Sequence, residues 1–328
     1  MDRRSLGRTG LRVSALALGT VELGMDYGLR VPGAHGRPAA ADAVRIIHAA
    51  LDRGVNLIDT APIYGAAEAL LGRALEGRRN QVVLATKVLP QTADGSALQG
   101  EALARHMRES LDSSLHLLRT DHVDLWQIHQ VDDALLAQAD TVAEAFAAAK
   151  RAGKARCVGA STYGVDPPLK ALASDLFDTL QVGYSVLDQR QADRCFSLAA
   201  QKGVGIIARS VLLQGVLTER GNYLPDPLTP LRERSQQFRR LVADALPDWT
   251  PAQVALAFAL NQSPIGSVLI GVRTVEELEE NLRAAEKPLT TTALDSLRDL
   301  RLDDADQLDP RWWEQFLGDA DLTDGDSP

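Results

Sequence analysis

Four side chains able to hold or move a proton stand at the ends of short apolar runs. Asp59 closes Val55-Asn56-Leu57-Ile58-Asp59-Thr60, Tyr64 follows it by five residues, Lys87 ends Val82–Lys87 and His129 ends His122–His129. If those runs are neighbouring parallel strands, their ends share one rim, and residues 28 and 42 positions apart in sequence converge there. A charge that ends an apolar strand is costly without a partner, and Asp59 and Lys87 can serve one another. Two readings are open for that pair: a rim salt bridge that stabilises the fold, or part of a working acid site. A phenol and an imidazole beside a Lys–Asp pair favour the second, because the lysine charge favours phenolate and draws a tyrosine down from its ordinary value of about 10. His48, His106, His116 and His122 have no such setting and read as structural.

The elements that must position these groups are legible in the hydrophobic pattern. Brief apolar runs alternate with longer helical stretches, which gives eight strand-then-helix units. The expected strands are Val13–Leu18, Val55–Thr60, Val82–Lys87, His122–His129, Arg156–Ser161, Thr179–Tyr184, Val204–Ser210 and Val268–Val272. The expected helices are Ala41–Arg53, Glu68–Leu75, Gly100–Leu117, Thr141–Ala152, Pro167–Ala173, Gln191–Gln201, Ala252–Asn261 and Val275–Ala285. Runs such as Val82-Val83-Leu84-Ala85 are apolar throughout, as a strand covered on both faces requires. Eight such units predict an α/β fold, a (β/α)8 TIM barrel, in place of two doubly wound halves. Gly153 suits a helix C-terminus and Thr250-Pro251 a helix start. Arg3–Val13, with Gly7 and Gly10, reads as an N-terminal hairpin able to plug the barrel from below. Two long connections, Thr20–Pro38 and Val211–Trp249, follow strands one and seven, on the face where barrels carry function.

Composition narrows the partners. The chain has 328 residues, 45% of them hydrophobic and 24% charged, and a net charge of −9. Nine carboxylates against Arg311 alone put −8 of that charge after residue 302, so the body is close to neutral. Such a body offers no footprint for nucleic acid or an anionic membrane, and the acidic C-terminal extension, about 303–328, reads as a solvated end. A single domain spanning 1–328, with its barrel core at about 13–285, is expected. Cys157 and Cys195 are too few for a disulfide framework and read as reduced core thiols. With no signal-peptide pattern at Met1–Gly7, a cytoplasmic location is expected.

The chain resembles the aldo-keto reductases from Leu6-Gly7 to Asn281. Its most specific segment is Gly54-Val55-Asn56-Leu57-Ile58-Asp59-Thr60-Ala61-Pro62-Ile63-Tyr64-Gly65, followed by Glu68 and Leu71-Gly72. Thr86-Lys87, Leu125-Trp126-Gln127-Ile128-His129 and Gly271-Val272-Arg273-Thr274 leading to Asn281 add to it. The resemblance implies the (β/α)8 fold, NADPH as the usual cofactor with NADH as the alternative, and reversible reduction of an aldehyde or ketone. It makes Tyr64 the general acid, with Lys87 easing release of its proton, Asp59 holding Lys87, and His129 aiming the carbonyl oxygen. Ser161 and Gln181 match positions that bind the nicotinamide carboxamide, and Thr162 stands where Asn is common. Tyr184 matches the aromatic that stacks on the ring, Ser210 a pyrophosphate-loop residue, and Arg273 and Asn281 the adenosine end.

Glu277 stands beside that end where some members carry a neutral or basic residue. Tyr27, Trp126, Trp312 and Trp313 are the aromatic candidates for a substrate wall, with barrel packing the alternative for Trp126 and anchoring of a C-terminal helix the alternative for the other tryptophans. Val211-Leu212-Leu213-Gln214-Gly215-Val216-Leu217 is similar to members acting on sugars or related polar carbonyls. The partner expected is a small carbonyl or alcohol. The second functional reading is a barrel that binds the dinucleotide as a sensor or regulatory subunit with little turnover. No Gly-x-Gly-x-x-Gly follows a strand, which excludes a doubly wound dehydrogenase. A metal-dependent hydrolase lacks ligands, since no His-x-His follows the first strand and no second histidine joins His129.

Overall fold

The structure, a computed structural model, describes residues 1–29, 31, 36–92, 94–313 and 316. Glu314, Asp319, Asp321, Asp324 and Asp326 of the acidic extension lie outside the described residues.

Two strands, β1 (Arg3–Ser5) and β2 (Arg12–Ser14), form an antiparallel hairpin. Eight more close a parallel barrel: β3 (Leu16–Gly19), β4 (Leu57–Asp59), β5 (Val83–Val88), β6 (Val123–Ile128), β7 (Ala155–Ser161), β8 (Thr179–Gly183), β9 (Gly205–Arg209) and β10 (Ile265–Ile270). They follow one another around the barrel in chain order, and β10 pairs with β3 to close it. Helices cover the outside, so the strands are buried on both faces. Trp126 of β6 shows how the layers divide. Its neighbours Leu125 and Gln127 are also buried, while its own ring meets Phe146 of the helix Ala139–Arg151 edge-on at 5.3 Å. Trp126 is therefore packing between strand and helix.

The hairpin closes the lower end. Leu6, Leu11 and Val13 join Ala17, Leu57, Ala85, Leu125, Cys157 and Ile207 in a separate buried cluster, with one apolar side chain each from six barrel strands. Leu6 has no exposed surface, and it lies so close to Gly205 that a methyl group there would meet it at 2.8 Å. With the bottom stoppered, the open end is the rim at the strand C-termini.

Several boundaries differ from the sequence-based expectation. Val13–Leu18 is not one strand, because Val13 and Ser14 pair with β1 and the barrel strand begins at Leu16. The connection Val211–Trp249 contains a helix, Thr229–Ala245, whose buried Leu231, Ser235, Phe238 and Val242 recur at spacings of three and four. Pro230 sits in its first turn, where a missing N–H costs nothing, so a proline within the expected connection marks a helix start. Gln191–Gln201 resolves into a short 3-10 turn and a helix from Cys195 to Lys202. Thr250 caps the next helix as expected, in a reciprocal pair with Gln253. A further helix, Thr291–Arg298, lies beyond the eight units.

Because Leu6 is the centre of the plug, Leu6→Ala is expected to lower the unfolding free energy by about 2–5 kcal/mol, read as a lower urea midpoint. An unchanged midpoint would show that the hairpin does not hold the barrel.

Candidate active site

The rim brings Asp59, Tyr64, Lys87 and His129 together. Lys87, with its side chain wholly buried, donates from Nζ to Asp59 Oδ2 at 2.5 Å, to the Thr60 carbonyl at 3.0 Å and to the Tyr64 hydroxyl at 3.3 Å. His129 Nε2 stands 3.5 Å from that hydroxyl, and its ring meets the phenol edge-on. Asp59 Oδ1 accepts from Gln127 Nε2 at 3.0 Å and from Gln181 Nε2 at 2.9 Å. Thus both carboxylate oxygens are engaged. The loop that carries Tyr64 is held against the turn Val21–Gly24, where any side chain on Gly24 would meet the Tyr64 carbonyl at 1.9 Å. Gly65, at φ +58°, completes the bend.

The electrostatics separate the roles. Burial pushes the Tyr64 phenol above its ordinary value; Lys87 pulls it down and Asp59 raises it again. The direction expected from lysine alone is thus reversed, because desolvation outweighs one neighbouring cation. Burial alone would lower Lys87, but Asp59 and Tyr64 outweigh it and hold the ammonium charged. Burial, with the Lys87 and Arg209 charges, holds His129 well below the usual imidazole range. At neutral pH the site therefore contains a protonated phenol, an ammonium and a neutral imidazole.

These groups form one end of a cavity of about 370 Å³ whose wall includes Tyr27, Asp59, Tyr64, His129, Ser161, Tyr163, Gln181, Arg209, the loop Ser210–Gly215, Arg220, Glu277 and Asn281. Ser161, Gln181, Ser210 and Asn281 therefore share one wall. Asn281 is only 6% exposed, yet its side-chain amide has no hydrogen-bond partner among the described residues. An amide left free on a cavity wall suits a ligand. The Ser210–Gly215 loop holds three non-glycine residues in the left-handed region, Ser210 (φ 56°), Leu213 (φ 48°) and Gln214 (φ 55°). Strain of this kind concentrates where a loop has a task.

Three expected residues are not on this wall. Tyr184 is 1% exposed and packed between Phe196 and Phe258, stacked on the latter at 5.9 Å, so it does not line this cavity. Arg273 has its guanidinium engaged behind that wall, donating from Nη2 to the Tyr27 carbonyl at 2.5 Å and standing 4.0 Å from Glu22. Thr162 is buried behind Ser161, its hydroxyl unpaired. Among the aromatics, Tyr27 lines the cavity and Trp126 does not. Trp313 is fully buried and donates to the Gln307 carbonyl at 3.1 Å, while Trp312 is exposed.

Sequence reasoning missed two residues. Gln127 lies within the quoted Trp-Gln-Ile-His run, and an amide inside a buried strand was the available signal. Arg209 ends the apolar run Gly205–Arg209, the same signal that marks Asp59 and Lys87. Its guanidinium donates to the Thr162 carbonyl at 2.7 Å and to Ser210 Oγ at 3.1 Å, and it stacks on Tyr163 at 3.9 Å.

Residues 15–301 match the family described as Aldo/keto reductase family. The chain is 32% identical to the uncharacterized oxidoreductase YrpG of Bacillus subtilis, over 92% of this chain and 96% of that protein. It is 32% identical to L-galactose dehydrogenase of Arabidopsis thaliana, over 87% of this chain and 88% of that protein. Its fold is similar to the solved aldo-keto reductase AKR11C1 from Bacillus halodurans in its holo form, with a TM-score of 0.75 and 28% identity, covering 93% of this chain and 98% of that one.

The buried imidazole gives a direct test of the electrostatics. In an NMR titration, His129 is expected to stay neutral at the pH where an ordinary histidine is half protonated, about 6.5, and to take up its proton only at lower pH. A midpoint near 6.5 would contradict the placement.

Proposed function

The chain belongs to the aldo/keto reductase family, and we propose that it reversibly reduces an aldehyde or ketone to an alcohol with Tyr64 as the acid. The observation that carries this reading is the Tyr64 hydroxyl, within 3.3 Å of Lys87 Nζ and 3.5 Å of His129 Nε2 on a cavity wall. A nicotinamide dinucleotide bound in that cavity supplies the hydride. Negative charge then develops on the substrate oxygen, and the phenol is placed to give it a proton. Lys87 stabilises the phenolate that remains, and Asp59 keeps Lys87 charged and aimed. His129, neutral, holds the carbonyl oxygen by a hydrogen bond without competing for the proton. In oxidation the same phenolate takes the proton back.

The wall offers matching groups for the dinucleotide. Ser161 and Gln181 suit the carboxamide; because Gln181 Nε2 is given to Asp59, its oxygen is the atom left for an amide N–H. The left-handed loop Ser210–Gly215 suits a pyrophosphate, since such backbone turns N–H groups toward an anion. Arg209, not Tyr184, borders the nicotinamide end, and Asn281 suits the adenine. Tyr27, Tyr163 and Arg209 give the substrate side aromatic faces and one cation, which favours a polar, sugar-like carbonyl, the kind of compound named for the Arabidopsis relative. Among the described residues no helix is long and apolar enough to cross a membrane, and Cys157 and Cys195 are buried free thiols, which suits a reducing setting.

Tyr64→Phe is expected to lower the rate of reduction by about 10²–10⁴-fold and leave dinucleotide binding intact, since it removes the proton and keeps the ring. Lys87→Met is expected to cost nearly as much, and Asp59→Asn less, because Asp59 acts through Lys87. Steady-state kinetics with a panel of aldehydes, alongside a cofactor titration, checks both. A phenylalanine variant with wild-type turnover refutes the assignment of the acid, and binding without turnover in the wild type supports the sensor in its place.

A further inference from the structure

We infer that the adenosine end of the cavity is built for a free ribose 2′-hydroxyl, so that the chain takes NADH in preference to NADPH, with Glu277 as the residue that decides. The inference rests on the oxidoreductase reading and adds the identity of the dinucleotide. It begins from a charge count along the cavity wall. NADPH carries two anionic groups, the pyrophosphate and the 2′-phosphate, whereas NADH carries the pyrophosphate alone.

Few cations are free to meet them. Lys87 is held by Asp59, and Arg209 is engaged with Thr162, Ser210 and Tyr163 at the reacting end. Arg273, the cation expected at a 2′-phosphate, is 7% exposed, spent on the Tyr27 carbonyl and directed toward Glu22. That leaves Arg220, the one guanidinium on the wall with no side-chain hydrogen bond or ion pair among the described residues. It reaches in beside Gly215, where an added methyl would meet its Cδ at 2.9 Å. An arginine whose side chain packs against Gly215 of the Ser210–Gly215 loop is placed for the pyrophosphate, and no second unengaged cation lines the wall among the described residues.

The adenosine end offers the opposite charge. Glu277 and Glu280 line it near Asn281, and Glu22 lies on the same wall. Glu277 is fixed in place: its Oε2 accepts the backbone N–H of Arg273 at 2.7 Å, and its own N–H donates to Thr274 Oγ1 at 3.1 Å, at the start of the helix Val275–Leu282. One oxygen held by the backbone leaves the other for a ligand donor. A carboxylate there accepts hydrogen bonds from ribose hydroxyls and repels a phosphate, the chemistry by which other dinucleotide folds select NADH. Asn281, 6% exposed and on the same wall, makes no side-chain hydrogen bond among the described residues, which leaves its amide for a polar ligand group here.

Fluorescence titration of the full chain with NADH and with NADPH, without substrate, tests this by binding alone. The wild type is expected to bind NADH at least about tenfold more tightly, the loss that one charge-assisted contact corresponds to. Glu277→Gln retains an acceptor for the Arg273 N–H and is expected to narrow the ratio by tightening NADPH, and Glu277→Arg to reverse it. Equal or tighter NADPH binding by the wild type overturns the inference and leaves the oxidoreductase reading standing. So does a ratio unmoved in both variants, with folding checked by circular dichroism. If neither dinucleotide binds, the oxidoreductase reading falls and this inference with it.

Discussion

An ammonium group buried inside the rim of the barrel is the constraint on which the rest of the site depends. Removing Lys87 from water costs several kcal/mol unless every N–H finds an acceptor. An ammonium has three donors, and Lys87 places them on Asp59, the Thr60 carbonyl and Tyr64. Tyr64 is therefore held by the need to satisfy a buried charge as well as by its own loop. Asp59 is met in turn by Gln127 and Gln181, so strands β4, β5, β6 and β8 share one network. Partial loss of such a network costs more than any single pair in it, because the remaining polar atoms are left dry and unpaired.

That arrangement requires a barrel open at one end only. The hairpin stoppers the bottom with Leu6, Leu11 and Val13, and the side chains of the inner cluster fill the lumen above it. The layer nearest the open end is where an apolar filling gives way to Asp59, Lys87, Gln127 and Gln181, all at or below 2% exposure. The same strands thus carry packing at their beginnings and chemistry at their ends. From that layer the cavity leads along the strained Ser210–Gly215 loop to Glu277 and Asn281, a path with the reacting groups at one end and a polar anchor at the other.

The strand ends were legible because each breaks an apolar run with a charge or a ring nitrogen, a costly pattern that needs a reason. The barrel followed from eight alternations of short apolar runs with helical stretches. What could not be read was direction. Tyr184 follows an apolar run as well, but one position along a strand turns a side chain from one face to the other, and its ring packs outward on Phe258. Arg273 lies near the expected end, yet its long side chain reaches the Tyr27 carbonyl, a partner 246 positions away in sequence. The net rise in the Tyr64 phenol was hidden for a related reason: a neighbouring cation is visible in sequence, whereas the depth of burial that outweighs it is a property of the fold.

The central claim is that a phenol kept protonated by burial, beside a neutral imidazole, performs the proton transfer. It is tested most directly by the pH dependence of kcat/KM measured in both directions on one enzyme. The account predicts that reduction stays level from about pH 6 to 9, since Tyr64 and His129 hold their protonation states throughout, while oxidation climbs with pH as phenolate becomes available. A reduction profile that falls with a midpoint near 6.5, or two directions with the same profile, would contradict it.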